Sequence, residues 1–371
     1  MTNQIFPRFK NKSRLPNLKN KRIFVGFNSA GVAGLRNITR ILKRRGYQID
    51  FYGLEAARFG IDTDYLLKFS RRPIISFFQR IQYFLKILPR YDIWHFNYTK
   101  TFFFYPLNLL ILKLCGKKIV HTFRGSDART HLDYLPSKKI INNPQYHWPE
   151  WYRGVVNQSW WLKFKIKLRM RIFCWLSDKI VLTGPFLVPS VANFSKIIPY
   201  ARNISQIPPA NDSKKLHQKL IILHVPSIPK MKGTIEVDRI FKILAKKYPQ
   251  HEFKILGNIP HQELIKEMSL ADIIIDQLLM GWYGGQAVEA MALGKTVMSF
   301  INPTYLELVP FGREIPIFNT NFWNFKNDLE ILINSPDLCQ KLSEEGRKFV
   351  RKYHAAEKIA DQYLEIYQKV V

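Results

Sequence analysis

The chain has 371 residues, 47% hydrophobic and 14% aromatic, and its 57 Lys+Arg against 28 Asp+Glu give a formal net charge of +29. That apolar content is ample for packed cores and excludes intrinsic disorder despite the charge, and the length suits two or three domains. The charge is one-sided: residues 1–200 hold 35 Lys+Arg and 9 Asp+Glu, whereas residues 201–371 hold 22 and 19, so the first half is the one suited to a polyanion. Cys115, Cys174 and Cys339 lie far apart with no CxxC pair, which argues against a disulfide framework or zinc cluster and for a reducing compartment. Lys10, Lys12, Arg14, Lys19 and Lys21 interrupt the first residues, so no signal peptide is expected. The longest strongly apolar run, Phe102 to Leu112, falls short of the ~20 residues that a membrane-spanning helix needs. The expectation is a cytoplasmic protein, soluble or peripheral at the inner face of the membrane.

In chain order, short β-branched or aromatic runs alternate with longer helical stretches, the pattern of parallel-sheet α/β domains. Residues 21–27 read as a first strand, followed by a turn with Gly31 and Gly34 and a helix with apolar Leu35, Ile38, Ile41 and Leu42 that Gly46 ends. Residues 47–52 read as the second strand, and further strands are predicted at 93–96, 118–123 and 179–183. Two intervening segments, Lys68 to Arg90 and Trp160 to Trp175, interleave cations with aromatic and aliphatic residues. Such basic amphipathic stretches suit the interface of an anionic membrane; the alternative is that their apolar residues pack on the sheet while the cations stay wet. The Lys-apolar alternation of 163–171 fits an edge strand as well as a helix.

Pro199, Pro208, Pro209 and the polar residues around them mark a linker over 199–219. A second α/β series follows, with strands predicted at 220–225, 253–256, 273–275 and 296–300. Two such domains joined by a linker form a cleft, and ligands sit outside the carboxyl ends of their strands.

No GxSxG elbow, HExxH pair, Walker loop or paired-cysteine site is present, and the Gly31–Gly34 turn lacks the full dinucleotide fingerprint, so it fits close packing as well as phosphate approach. The informative stretch is 271–297: a strand, a loop with Gly281, Tyr283, Gly284 and Gly285, then a helix. The unpaired N–H groups and dipole of such a helix N-terminus favour a diphosphate, and a carboxylate one or two turns in, Glu289, suits the two hydroxyls of a ribose.

This stretch resembles the donor-binding element of retaining glycosyltransferases of the GT-B fold, family 4 or group 1. Gly284, Glu289, Ala290, Met291, Ala292, Gly294 and Val297 match the motif directly. The resemblance implies two Rossmann-like domains facing each other across a cleft: a basic tail over 1–20, an acceptor-binding domain over 21–205 and a nucleotide-sugar domain over 206–371, whose last helix can pack back on the first. It places the ribose-binding glutamate on Glu289 and the family's earlier glutamate, near the donor sugar, on Gly281, with Asp276 or the loop amides around Tyr283, Gly284 and Gly285 as substitutes. It also places the family's arginine on Ser227 and its diphosphate lysine on Lys232, with Lys230 as a source of the missing charge. In the first domain, 118–127 is similar to a strand that ends in the family's cleft histidine and Gly-Ser-Asp, and the histidine position falls on Arg124. His121 lies three residues earlier, where burial competes with catalysis. Asp127 is then the group to accept a proton or fix a sugar hydroxyl, with a helix N-cap role for Ser126 or Asp127 as the structural alternative, and Arg124 the one to steady phosphate charge or orient an acceptor.

The activity so implied is transfer of a sugar from a nucleotide-diphosphate donor to a hydroxyl of a glycan or lipid-linked acceptor, with retention, in cell-surface polysaccharide or glycolipid synthesis. No cofactor and no metal are expected, because Lys232 and helix-end amides can neutralise the diphosphate. An anionic membrane is the expected partner of the basic half and nucleic acid is not. Two rivals remain: a GT-B sugar-nucleotide epimerase, which leaves the basic half unexplained, and a non-catalytic nucleic-acid-binding protein, which leaves Glu289 and its loop unexplained.

Overall fold

The computed structural model describes residues 18–27, 33–54, 62–125, 160–188, 191, 194–207, 219–257 and 259–371. Among them, the first sheet contains β1 (Arg22–Gly26), β2 (Gln48–Leu54), β3 (Tyr65–Leu67), β4 (Ile93–Asn97), β5 (Lys118–Phe123), β6 (Lys179–Leu182) and β7 (Lys196–Ile197). They run parallel in the order β3-β2-β1-β4-β5-β6-β7. The second sheet contains β8 (Ile221–His224), β9 (Glu252–Ile255), β10 (Ile273–Ile275), β11 (Thr296–Ser299) and β12 (Phe318–Asn319), parallel in the order β12-β11-β10-β8-β9.

Helices α1 (Ala33–Arg44), α2 (Pro73–Ile87), α3 (Tyr105–Leu114) and α4 (Trp160–Leu176) accompany the first sheet. With the second go α5 (Pro229–Lys232), α6 (Thr234–Lys247), α7 (His261–Leu270), α8 (Gly285–Ala292), α9 (Pro303–Leu306), α10 (Phe325–Ile333) and α11 (Pro336–Tyr353), and α12 (Ala356–Gln368) comes last. Among the described residues no helix is long and apolar enough to cross a membrane.

Both faces of the first sheet are covered, so its strands are apolar on both sides rather than alternating with polar residues. Phe24, Trp94, Phe96 and Phe123 point to one face, where Phe84 of α2, Leu109 of α3 and Phe173 of α4 close over them. Ile23, Val25, Ile93 and Val120 point to the other, under Leu35 and Ile38 of α1 and Ile359 and Tyr363 of α12. The last helix therefore packs on the first sheet although it follows the second in the chain. His95 of β4 fixes it there: the imidazole lies 2.7 Å from Tyr367 Oη through Nδ1 and 2.7 Å from Thr122 Oγ1 through Nε2. The chain segment between the sheets is tied to the same junction. Arg202 N donates to His354 O (2.9 Å), and Ala356 N donates to Arg202 O (2.9 Å).

The structure resolves the alternating stretch 163–171 as part of α4. Met170, Phe173 and Leu176 turn inward, whereas Trp161, Phe164, Leu168 and Trp175 stay exposed, so apolar stripes on opposite sides of a helix mimic the period of a strand. Strands β3, β7 and β12, of three, two and two residues, are additions to the sequence-based expectation; each is an edge or near-edge strand too short to carry a pattern.

Candidate functional site

In the second sheet the chain leaves β8 for β9 on one side and returns to β10 on the other. The carboxyl ends of β8 and β10 therefore flank the point where strand order reverses, the place where open α/β sheets leave a crevice for ligands. Lys232 follows β8 and Asp276 follows β10. The ammonium of Lys232, largely buried, donates to Asp276 Oδ1 (2.6 Å) and to Gln286 Oε1 (3.1 Å). The other Asp276 oxygen accepts from the amide of Gly284 (2.8 Å). One fully buried carboxylate thus joins the lysine to the loop that opens α8. Gln286 Nε2 is also buried and has no hydrogen-bond partner among the described residues, leaving a donor beside the ammonium.

The loop owes its shape to Gln277, whose side-chain amide donates to Trp282 O and Phe300 O while its oxygen accepts from the amides of Leu279 and Met280. Gly281 turns the chain with φ +71°, and a Cβ there would stand 3.3 Å from Asn302 Cβ. A glutamate is therefore disfavoured at this position, by the positive φ and by the close approach of Asn302. Gly285, the first residue of α8, has the Arg202 guanidinium against its Cα, and a Cβ would collide with it.

Glu289 lies one turn into α8 with 9% of its side chain exposed. Arg202 Nε pairs with its Oε1 at 2.9 Å, and His261 Nε2, at the start of α7, lies 3.1 Å from the same oxygen. No hydrogen bond to Oε2 is present among the described residues. Burial opposes ionisation of Glu289, but the charges of Arg202 and His261 outweigh it and hold the carboxyl below its usual pKa. In return, the hydrogen bond to Glu289 raises the His261 pKa. The site thus presents Lys232, Arg202 and a helix N-terminus to an anion, with an ionised carboxylate behind them offering a free oxygen to hydroxyl donors.

Arg202 and His261 were not among the residues singled out from the sequence. Neither sits in a motif; the one available signal was a cation in the proline-flanked connection between the sheets. Tyr283, read as part of the sugar-facing loop, is buried instead. His354 Nδ1 lies 2.8 Å from Tyr200 O, an acceptor only, so Nδ1 holds the proton and Nε2 accepts from Tyr283 Oη (3.0 Å). Asp276, read as a substitute sugar ligand, is occupied by Lys232 and the Gly284 amide, which also takes that amide out of the free donor set. Ser227 is exposed beyond β8, and Lys230 lies on α5 two residues before Lys232.

On the first sheet, His121 takes the buried alternative and is a core residue rather than a group open to the cleft. Its side chain is fully buried with the ring 5.4 Å from Phe96 and 4.7 Å from Phe173, and its Nδ1 lies 2.8 Å from Ser177 Oγ. Burial lowers its pKa to about 3, so the ring is neutral. Arg124 follows the carboxyl end of β5 and is largely buried, with Thr183 Oγ1 donating to its carbonyl (3.3 Å). Asp127 and Gly31 lie outside the described residues. Gly34 packs against the connection between the sheets, where a Cβ would meet Ala201 O at 2.9 Å, so its smallness serves close packing. Among the described residues no cluster of three or more His, Cys, Asp or Glu is placed to hold a metal ion.

No protein-family model matches the chain. An uncharacterised glycosyltransferase of Haemophilus influenzae is 26% identical over 186 residues, which make up 43% of this chain and 52% of that protein, so the chain spans about half the length of the curated relative it matches. Among solved structures, sucrose-phosphate synthase from Thermosynechococcus elongatus superposes with a TM-score of 0.59 at 15% identity, covering 94% of this chain and 99% of its own. Anabaena HepE in complex with UDP-glucose superposes with a TM-score of 0.59 at 13% identity, covering 94% and 100%. At these identities the likeness is one of fold. The chain has the GT-B fold, two Rossmann-like domains, as the resemblance of its 271–297 motif implied.

Proposed function

We propose that the protein transfers a sugar from a nucleotide-diphosphate donor to a hydroxyl of a glycan or lipid-linked acceptor, with retention at the anomeric carbon. The observation that carries this reading is the convergence of Lys232, Arg202 and the α8 N-terminus in front of Glu289, at the strand-order reversal of the second sheet. The cations and helix amides take the diphosphate, and Glu289 Oε2 takes a ribose hydroxyl. Departure of the nucleotide leaves negative charge on the diphosphate and positive charge on the sugar, so fixed cations near the phosphates favour the charge-separated state over the intact donor. Arg202 supplies the cation that Ser227 lacks. Asp127 is the proposed proton acceptor of the first domain, and Arg124 the group that orients the acceptor. No cofactor and no metal enter this reading, so chelation should leave turnover unchanged.

The test is calorimetric titration of the intact protein with UDP-, GDP- and ADP-sugars, then the same titration of Glu289→Gln and Lys232→Ala. Binding of one donor class is expected. Loss of a hydrogen bond to a charged group should weaken it roughly tenfold to a hundredfold in each variant. Undiminished affinity in Glu289→Gln would remove the assignment. NMR of the product then reads the anomeric configuration, and conversion of the free donor without an acceptor would identify an epimerase instead.

A further inference from the structure

Helices α2, α3 and α4 close one face of the first sheet, and their inner sides account for only part of their apolar residues. On the outer side Ile74, Phe78, Phe104, Leu114 and Trp175 are between 64% and 79% exposed, with Trp161 and Leu85 also exposed beside them. The helices are neighbours: Tyr105 at the start of α3 stacks on Phe173 of α4, with centroids 4.9 Å apart, and Phe103, just before α3, packs edge-on against Phe84 of α2 at 5.4 Å. The exposed residues therefore lie on adjoining helices that cover the same face of the sheet. None of the three helices contains an Asp or Glu, while Arg80 and Lys86 on α2 and Lys165, Lys167 and Arg171 on α4 supply cations.

Between α2 and the start of α3 lies a cavity of about 420 Å³ lined by Arg80, Thr99, Lys100, Thr101, Phe103 and Phe104. Arg80 is held in it by Ser76 Oγ at 3.2 Å and by the Phe69 ring, 4.7 Å beneath the guanidinium, and pairs with no carboxylate among the described residues. A guanidinium so held, with an ammonium and two hydroxyls beside it, is matched by a phosphate.

We infer that this face docks on an anionic lipid bilayer, with the exposed aromatic and aliphatic side chains entering the interface and a lipid phosphate seated at Arg80. The occupant follows from the combination of features. Nucleic acid gives aliphatic side chains such as Ile74 and Leu114 nothing to bury in. A second copy of the chain would bring the same uncompensated cations face to face. An anionic bilayer satisfies both. This inference adds a partner to the proposed transferase, and it does not depend on the nucleotide site.

The experiment is flotation of the full chain with phosphatidylcholine vesicles with and without phosphatidylglycerol, no nucleotide being present. Flotation is expected with the anionic vesicles, weakening as salt screens the surface. The triple variant Phe78→Ser, Leu114→Ser, Trp175→Ser should lose at least about tenfold in partitioning, since each buried side chain is worth more than a factor of ten. Arg80→Ala should lose about fivefold on anionic vesicles and little on neutral ones. Unchanged thermal unfolding and unchanged nucleotide-sugar titration of the variants would show that folding and the donor site are intact. Equal flotation of the triple variant, flotation indifferent to phosphatidylglycerol, a gel shift with RNA that competes with vesicles, or a dimer abolished by Trp175→Ser would each overturn the proposal.

Discussion

Arg202 shows what a single side chain does when it reaches from one part of the chain to another. Its backbone is fastened to the junction before α12, and its guanidinium ends against Gly285 and Glu289 of the second lobe. Sequence reading found Glu289 because its neighbours form a local motif; it passed over Arg202 because no neighbour in the chain announces a partner so far away. Arg202→Ala should weaken donor binding about tenfold, and Arg202→Lys should restore only part, since lysine cannot keep the ion pair while lying flat against Gly285. Titration of the two variants checks this, and wild-type affinity in Arg202→Ala would show that the guanidinium does not face the ligand.

Gly281 gives the opposite lesson: the departure from the family motif was visible in the sequence, but its cause was not. With φ +71° and Asn302 close by, Gly281→Glu should destabilise the protein by about 1–3 kcal/mol rather than recover a lost function, which a denaturation midpoint measures. His261 adds a pH dependence. Its pKa is raised by Glu289, so the pair is complete below the ordinary histidine pKa and is lost as pH rises through the raised value. Donor affinity should fall across that alkaline-side window in the native protein and lose that slope in His261→Gln. A slope unchanged in the variant would assign the titration to another group.

At the scale of elements, the strands were legible because both of their faces are covered, which makes runs such as 93–96 and 273–275 buried at every position and almost wholly apolar. What periodicity could not supply was the direction of a two-sided helix: in α4 apolar residues cover the sheet and others face outward among the cations. The α8 element was legible as strand, loop and helix, yet the part that rigidifies it was not. Asp276 holds both Lys232 and the Gly284 amide, so the position of the ammonium and the start of the helix are fixed by one group. Asp276→Asn keeps the shape and removes the charge, leaving the buried ammonium of Lys232 without its counter-ion. Removing one partner of a buried pair costs about 3–5 kcal/mol. A fall in thermal stability of that order is expected, partly restored in Asp276→Asn combined with Lys232→Met. If the double variant were no more stable than the single one, the loss would not come from the unpaired charge.

For the whole molecule, the way the two lobes are joined makes stability depend on acid. Four buried imidazoles sit at structural joints rather than in the site. His95 links β4 to α12, His121 lies under α4, His224 Nδ1 donates to Ile275 O while its Nε2 accepts from Thr234 Oγ1, and His354 links Tyr283 of the second lobe to Tyr200 of the connection. Burial lowers the pKa of His95 and His121 to about 3 and of His224 and His354 to about 4. In the unfolded chain each takes a proton near the ordinary histidine value, well before the folded protein can accept one. Stability is therefore complete above that value and is withdrawn as pH falls through the window between it and the depressed ones. At about pH 5 each buried imidazole costs on the order of 1–2 kcal/mol, a large share of the 5–15 kcal/mol that domains of ordinary stability possess. His261, with its pKa shifted the other way, offsets little of this because it is one exposed group against four buried ones. Denaturant midpoints measured from about pH 7 down to about pH 5 should fall steeply. His95→Gln, which can still bond Tyr367 and Thr122, should start lower but decline less. A midpoint that stays level over that range would mean that these rings are not held neutral in the core, and that α12 is not secured to the first sheet in the way described.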